Sequence, residues 1–288
     1  MKKFISVLLT VIMCFSTVTA FAQTPPIDES QSMMGDANGN GKVTAADARI
    51  VLRVAAKIDP ADSISLYDTD ADGNGKITAS DARLILRVAA NLSEFVYGFD
   101  GNGIPCALNV LRSDKYFVNA SYKEPSSSTT VSMSLARDDK NIYIISDAMG
   151  FDMSEIGFSE CGMMINEDKV YAIMGSDKSK VAMYIPDKMC EEMGMTKEEL
   201  DEISGLLSSF IADDIGTASR EVRGGESVFC YTYEIEGYTY FLYAATNGRL
   251  LSIDGESSSG SKETLITFNE ISVDSVADYF DLNKYELI

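Results

Sequence analysis

The chain has 288 residues, 45% hydrophobic and 24% charged, with 24 basic residues against 44 acidic ones and a formal net charge of −20. That balance argues against nucleic acid and anionic membrane as partners and suits an extracellular protein that binds cations. The complete absence of His and Trp excludes Ser-His-Asp and Cys-His catalysis and His-ligated zinc, and it removes the indole faces common in sugar-binding sites.

The first segment reads as a secretory signal. Met1-Lys2-Lys3 is followed by an apolar run from Phe4 to Phe15 and by small residues ending Ala20-Phe21-Ala22. A basic start, a short apolar middle and an A-x-A ending predict cleavage after Ala22. The run is shorter than the roughly 20 residues a membrane span needs. Residues 23–34 form an N-terminal segment of the exported chain. Cys106, Cys161, Cys190 and Cys230 lie beyond the signal. Export permits disulfides, and four cysteines leave three pairings open; buried thiols are the other reading.

Next comes an internal repeat. Gly35-Asp36-Ala37-Asn38-Gly39-Asn40-Gly41-Lys42-Val43-Thr44-Ala45-Ala46-Asp47-Ala48-Arg49 returns 34 residues later as Thr69-Asp70-Ala71-Asp72-Gly73-Asn74-Gly75-Lys76-Ile77-Thr78-Ala79-Ser80-Asp81-Ala82-Arg83. Each copy reads as a twelve-position loop. Asp36, Asn38, Asn40, Thr44 and Asp47 occupy positions 1, 3, 5, 9 and 12, and Asp70, Asp72, Asn74, Thr78 and Asp81 occupy them in the second copy. Lys42 and Lys76 at position 7 offer only a backbone carbonyl. Calcium takes six to eight oxygen ligands, and a glycine at position 6 (Gly41, Gly75) permits the sharp turn. The pattern predicts two calcium ions. The second loop has three side-chain carboxylates against two in the first, which predicts tighter binding there. An amphipathic helix follows each loop. Ile50, Val51, Val54 and Ile58 form one stripe, and Leu84, Ile85, Val88 and Leu92 the other. Arg49, Arg53 and Lys57, and then Arg83 and Arg87, form a basic row on another face. No helix is expected before either loop, unlike an ordinary EF-hand.

Residues 35–92 resemble a type I dockerin, the module that plugs cellulosomal and related secreted proteins into cohesin domains on a scaffold. The resemblance implies that the cohesin-facing surface includes Ala45, Ala46, Arg49 and Arg53 in one copy and Ala79, Ser80, Arg83 and Arg87 in the other. The two faces are nearly alike, so docking in either of two orientations is implied, with the arginines pairing with partner carboxylates. The protein would then be secreted or extracellular, held at the cell surface through the scaffold.

After a linker over 93–103 the pattern turns to β. Strands are predicted at Lys115–Tyr122, Val131–Arg137, Asn141–Asp147, Cys161–Asn166, Lys169–Met174 and Lys180–Ile185, then one ending at Val222, then Val228–Glu236, Tyr238–Ala245, Arg249–Asp254 and Thr264–Ile271. Asn247-Gly248 is a strong hairpin signal. Thr196 and Glu199 make a capping box ahead of Leu200, Ile203, Leu206, Leu207 and Phe210, predicting the main helix. Residues 104–288 are thus expected as an α+β domain, a curved antiparallel sheet of about nine to eleven strands with that helix on its concave face. The fold class is multidomain, a small all-α module followed by this domain.

The order of hairpins, central helix and further hairpins is similar to half-barrel carrier proteins of the LolA and LppX type. That resemblance implies an apolar groove for acyl chains or a hydrophobic peptide, with Met149, Met153, Met163, Met164, Met174 and Met183 available to line it; core packing is the simpler account of these residues. The sequence therefore points to a secreted docking protein whose β domain is a non-catalytic ligand- or protein-binding cargo. No catalytic residue is assigned. The alternative is a docked carboxylate-dependent glycoside hydrolase or accessory protein of polysaccharide degradation. The neighbouring acidic pairs Asp138-Asp139, Glu191-Glu192, Glu198-Glu199 and Asp213-Asp214 do not favour it, because adjacent residues on a strand point to opposite faces.

Overall fold

The computed structural model describes residues 33–123, 130–146, 160–175, 180–193, 196–198, 200, 201, 215, 218–235, 237–256, 260–274 and 276–288. The signal segment and the predicted cleavage site lie outside the described residues. So do Met149, Met153 and, in the predicted main helix, Ile203, Leu206, Leu207 and Phe210.

The N-terminal module holds helices α1 (Ala45–Ala55), α2 (Leu66–Thr69) and α3 (Ala79–Ala89). Thr44 and Thr78 cap α1 and α3, accepting the N–H of Ala46 and Ser80, while Asp47 and Asp81 reach back to the caps' own N–H groups. Four orphan amides at each start are thereby partly satisfied by the loop that precedes the helix. Both helices stop alike: Lys57 (φ 57°) and Asn91 (φ 54°) take the left-handed conformation just past the last turn. Ile58 and Leu92, placed by the sequence in the buried stripes, follow that stop and are 63% and 69% exposed. Val51 and Ile85 are fully buried where α1 and α3 meet, each burial contributing roughly 1.5–3 kcal/mol. The helix α2 corrects the expectation that neither loop is preceded by one. It ends one residue before Asp70, and four residues are too few to display a helical period.

The stretch read as a linker is packed into both units. Phe95 joins the core of the helical module, whereas Val96 and Phe99, with Ile104 just beyond the stretch, pack on the core of the sheet. Asp100-Gly101-Asn102-Gly103 is a turn, with Asp100 Oδ1 accepting from the N–H groups of Asn102 and Ile104. Helix α4 (Cys106–Arg112) was not expected from sequence. Its first residue faces the helical module, and Ala107, Leu108, Val110 and Leu111 are buried against the sheet.

The strands are β1 (Lys115–Lys123), β2 (Thr130–Asp138), β3 (Asn141–Ser146), β4 (Glu160–Asn166), β5 (Lys169–Gly175), β6 (Lys180–Ile185), β7 (Ala218–Arg223), β8 (Glu226–Ile235), β9 (Tyr238–Ala245), β10 (Leu250–Glu256), β11 (Lys262–Ser272) and β12 (Glu286–Leu287). They form one curved sheet in the order β12-β6-β5-β4-β3-β2-β1-β11-β10-β9-β8-β7. Two antiparallel meanders, β1–β6 and β7–β11, are joined where β1 pairs with β11. The eleven predicted strands are all present, with each predicted end within two residues of the observed one. The sheet is mixed rather than purely antiparallel, because the chain returns after its last turns to lay β12 parallel on β6.

Alternation assigns the two faces. Leu135, Ile144, Tyr231 and Leu242 face inward under α4 and Leu200, the described start of the predicted helix. Short helix α5 (Asp187–Met193), also unpredicted, adds Cys190 to that face. Phe117, Tyr143 and Met164 face outward and are covered by 3-10 turns at Val276–Phe280 and Leu282–Lys284. Tyr279 stacks there on Phe117, with ring centroids 4.9 Å apart.

Candidate metal centre and docking face

Both loops are folded around their own carboxylates. In the first, Asp36 accepts the backbone N–H groups of Asn40 (3.0 Å) and Gly41 (2.6 Å). Asp47, fully buried, accepts from the N–H (2.9 Å) and hydroxyl (2.6 Å) of Thr44 and from the N–H (3.2 Å) and side-chain amide (2.5 Å) of Asn38. The second loop repeats this frame. Asp70 accepts from Asn74 and Gly75 N–H, and Asp81 accepts from the Thr78 N–H and hydroxyl and from the Asp72 N–H. One carboxylate thus caps the helix and closes the loop, so the loop and the helix behind it form as a unit.

The copies differ at position 3. Asn38 turns an amide donor onto Asp47, whereas Asp72 has none to give. Its carboxylate joins those of Asp70 and Asp81, with one oxygen from each lying within 4.8 Å of the other two. Partial burial, then the nearby Asp81 carboxylate, pushes the Asp72 carboxyl above its ordinary range. Among the described residues no Lys or Arg pairs with any of the three. Two of these acids are buried, and the all-oxygen donor set is one that could hold a hard cation.

The expected docking residues lie near the starts and along the lengths of α1 and α3. Ala45, Ala46, Arg49 and Arg53 on α1 and Ala79, Ser80, Arg83 and Arg87 on α3 are all exposed. The structure adds Leu52 and Leu86, each 49% exposed at matching positions of the two copies. Sequence reasoning missed them because it followed the buried stripe; a leucine left off that stripe in both copies was the available signal. Arg53 is held by Asp59 in a two-pronged ion pair, both contacts at 2.7 Å. The matching residue in the second copy is Ser93, and Arg87 instead donates to the Leu92 carbonyl and stands 4.0 Å from Asp274.

Residues 34–88 match the family model described as the dockerin type I domain. That segment is a type I dockerin domain. Dockerin domains of this type bind calcium and dock onto cohesin. No curated protein matches the chain. Among solved structures, the chain is similar to MucB in complex with MucA(peri), at 8% identity and a TM-score of 0.28, covering 62% of this chain and 57% of that one. The Pseudomonas aeruginosa MucA/MucB complex gives 10% identity and a TM-score of 0.30 over 57% and 53%. PNGF-II gives 7% and 0.25 over 61% and 31%. The chain therefore spans little more than half of the MucB chains it resembles.

Beyond the dockerin, the methionines expected to line one groove are divided. Met163 and Met164 are buried on opposite faces of the sheet and Met183 is exposed, as strand alternation requires. A cavity of about 60 Å³ lies between the connector and the sheet, at Val96, Tyr97, Ala107 and Leu250. It has room for water-sized molecules, well short of the few hundred Å³ of a typical ligand pocket. Cys106, Cys161, Cys190 and Cys230 are free thiols.

Proposed function

We propose that this is an exported, calcium-dependent docking protein. Its dockerin attaches to a cohesin-bearing scaffold outside the cytoplasm, and its β-rich domain is carried as a non-catalytic, ligand- or protein-binding cargo. The observation that carries the reading is the duplicated exposed face of Ala, Leu and Arg residues set directly behind two carboxylate-closed loops. In the first loop Asp36, Asn38, Asn40, the Lys42 carbonyl, Thr44 and Asp47 would hold one calcium ion. Asp70, Asp72, Asn74, the Lys76 carbonyl, Thr78 and Asp81 would hold the second. Bound calcium supplies the positive charge that lets the carboxylates converge, and hence a fixed loop-to-helix angle. Small side chains at Ala45, Ala46, Ala79 and Ser80 allow close approach of the partner, and the arginines address its carboxylates.

The test is a pull-down of the mature chain against a panel of purified type I cohesins, in calcium and then in excess chelator. Calcium-dependent capture that is lost when Arg49, Arg53, Arg83 and Arg87 are all changed to Ala supports the reading. Failure of a folded, calcium-loaded chain to bind any cohesin, or capture untouched by that quadruple change, would remove it.

A further inference from the structure

The segment matched as a dockerin ends at residue 88, yet both loops are buttressed by aromatic rings that come later in the chain. Phe95 lies against Gly35, the residue before Asp36; a Cβ on Gly35 would fall 2.5 Å from its ring. Tyr97 lies across Gly73 inside the second loop, where a Cβ would fall 2.7 Å from the ring. A side chain at Gly73 would drive the ring away, so the glycine there serves the close approach as well as the turn.

The same four-residue stretch is fastened to the sheet. The Gly98 N–H donates to the Asn247 carbonyl at 2.7 Å, and the Gly98 carbonyl accepts from the Cys106 N–H at 3.0 Å. Asn247-Gly248 is the turn between β9 and β10, and any side chain at Gly248 would collide with the backbone of Gly98. On the sheet side Phe99 meets Phe229 edge-on at 5.2 Å, and the Tyr231 hydroxyl donates to the Gly103 carbonyl at 2.8 Å. A continuous path of contacts therefore runs from the second loop through Tyr97 and Gly98 to the β9–β10 hairpin.

From this path we infer that calcium binding in the loops is coupled to the order of the β9–β10 hairpin. Tyr97 is a positioning residue for the second loop, and the loaded dockerin and the β domain move as one body. The inference rests on the calcium reading above. Without a cation the Asp70, Asp72 and Asp81 carboxylates repel one another and the loop spreads, withdrawing Gly73 from the Tyr97 ring and loosening the connector. Coupling of this kind is reciprocal. A connector anchored on the hairpin holds the loop near its bound shape and raises its affinity for the cation.

Hydrogen–deuterium exchange of the full chain, with calcium and with excess chelator, reads both ends of the path. Chelator is expected to speed exchange at the loop amides of Asn74 and Gly75, at Gly98 and Cys106, and in the β9–β10 hairpin, leaving β2 and β3 unchanged. If calcium protects the loops and leaves the hairpin unaltered, the coupling is wrong while calcium binding stands. If calcium protects no loop amide, the calcium reading fails first. In calorimetry with calcium alone, Tyr97→Ala is expected to weaken binding about five- to tenfold and to abolish the hairpin's response. Tyr97→Phe should keep both, since the ring and not the hydroxyl covers Gly73. Gly248→Ser acts from the hairpin side without touching either loop. A folded Gly248→Ser chain with unaltered calcium affinity would overturn the inference.

Discussion

The two loops of the dockerin share one backbone plan and differ in how they treat position 3. In the first, Asn38 donates both its backbone N–H and its side-chain amide to Asp47. In the second, Asp72 places a third carboxylate beside two others. The second loop is therefore expected to gain more from a cation than the first. A single amide-to-acid change thus adds a third carboxylate to one copy while its spacing, its cap and its helix stay the same.

The largest effect expected is on a thiol at the start of α4, packed against the core of the helical module. Burial, with a smaller contribution from Asp100, pushes the Cys106 thiol up to about 12 from 9.0. Because the thiolate is the reactive form, alkylation at pH 8 should run about a thousandfold slower in the calcium-loaded chain than in denaturant. Chelation should restore much of the rate, and Asp81→Ala should speed it more than Asp47→Ala does. The sign for stability follows from the same shift. The folded state keeps its proton above 9.0 while the unfolded state loses it, so this contribution is intact below pH 9 and is lost progressively as the pH rises toward 12. Alkaline melting curves check this.

Next in size is the direct removal of each closing carboxylate. Asp81→Ala and Asp47→Ala each remove the N3 half of a capping box, costing roughly 0.5–2 kcal/mol of stability before calcium is considered. In calorimetry Asp81→Ala should lose more binding free energy than Asp47→Ala. Equal losses would erase the proposed difference between the loops. Asp72→Asn is the gentler version, since it gives the second loop the donor that the first already has. It should lower calcium affinity by about tenfold while raising the melting temperature of the calcium-free chain, because the repulsion it relieves exists only there. The smallest effect belongs to the docking face. Asp59→Asn frees Arg53 from its exposed partner and should improve capture by an acidic cohesin surface by no more than about threefold, within the modest range of surface ion pairs. No change at low salt would mean the pair already opens without cost.

What could be read from the sequence follows the range of the interactions. The loops and caps are local: Asp36 binds Asn40 and Gly41, and Thr44 binds Asp47, all within a few residues. Strand positions were equally legible, because alternation and the Asn247-Gly248 turn are local signals. The elements missed have their causes elsewhere in the chain. Helix α4 is seven residues that are helical because they fill the gap between the dockerin and the sheet. Strand β12 is two residues paired with β6, about a hundred positions earlier. The connector carries Phe95, Val96, Tyr97 and Phe99 among its glycines, but in a stretch this short they show no period that assigns them to either unit. A side chain at Gly98 would strike Met34 and one at Gly248 would strike the Gly98 backbone, meetings no window of sequence displays.

The rings of Phe95 and Tyr97 also set where this module can be cut. A transplant onto a new passenger, trimmed where the dockerin match ends at residue 88, would leave Gly35 and Gly73 bare and remove Phe95 from the module core. A graft carried through Cys106 would keep both rings but expose the apolar underside of Val96, Phe99 and Ile104 that now rests on the sheet. The dockerin and its passenger here share a seam, so the practical unit of exchange is larger than the family boundary, and a chimera would need its own patch for that seam.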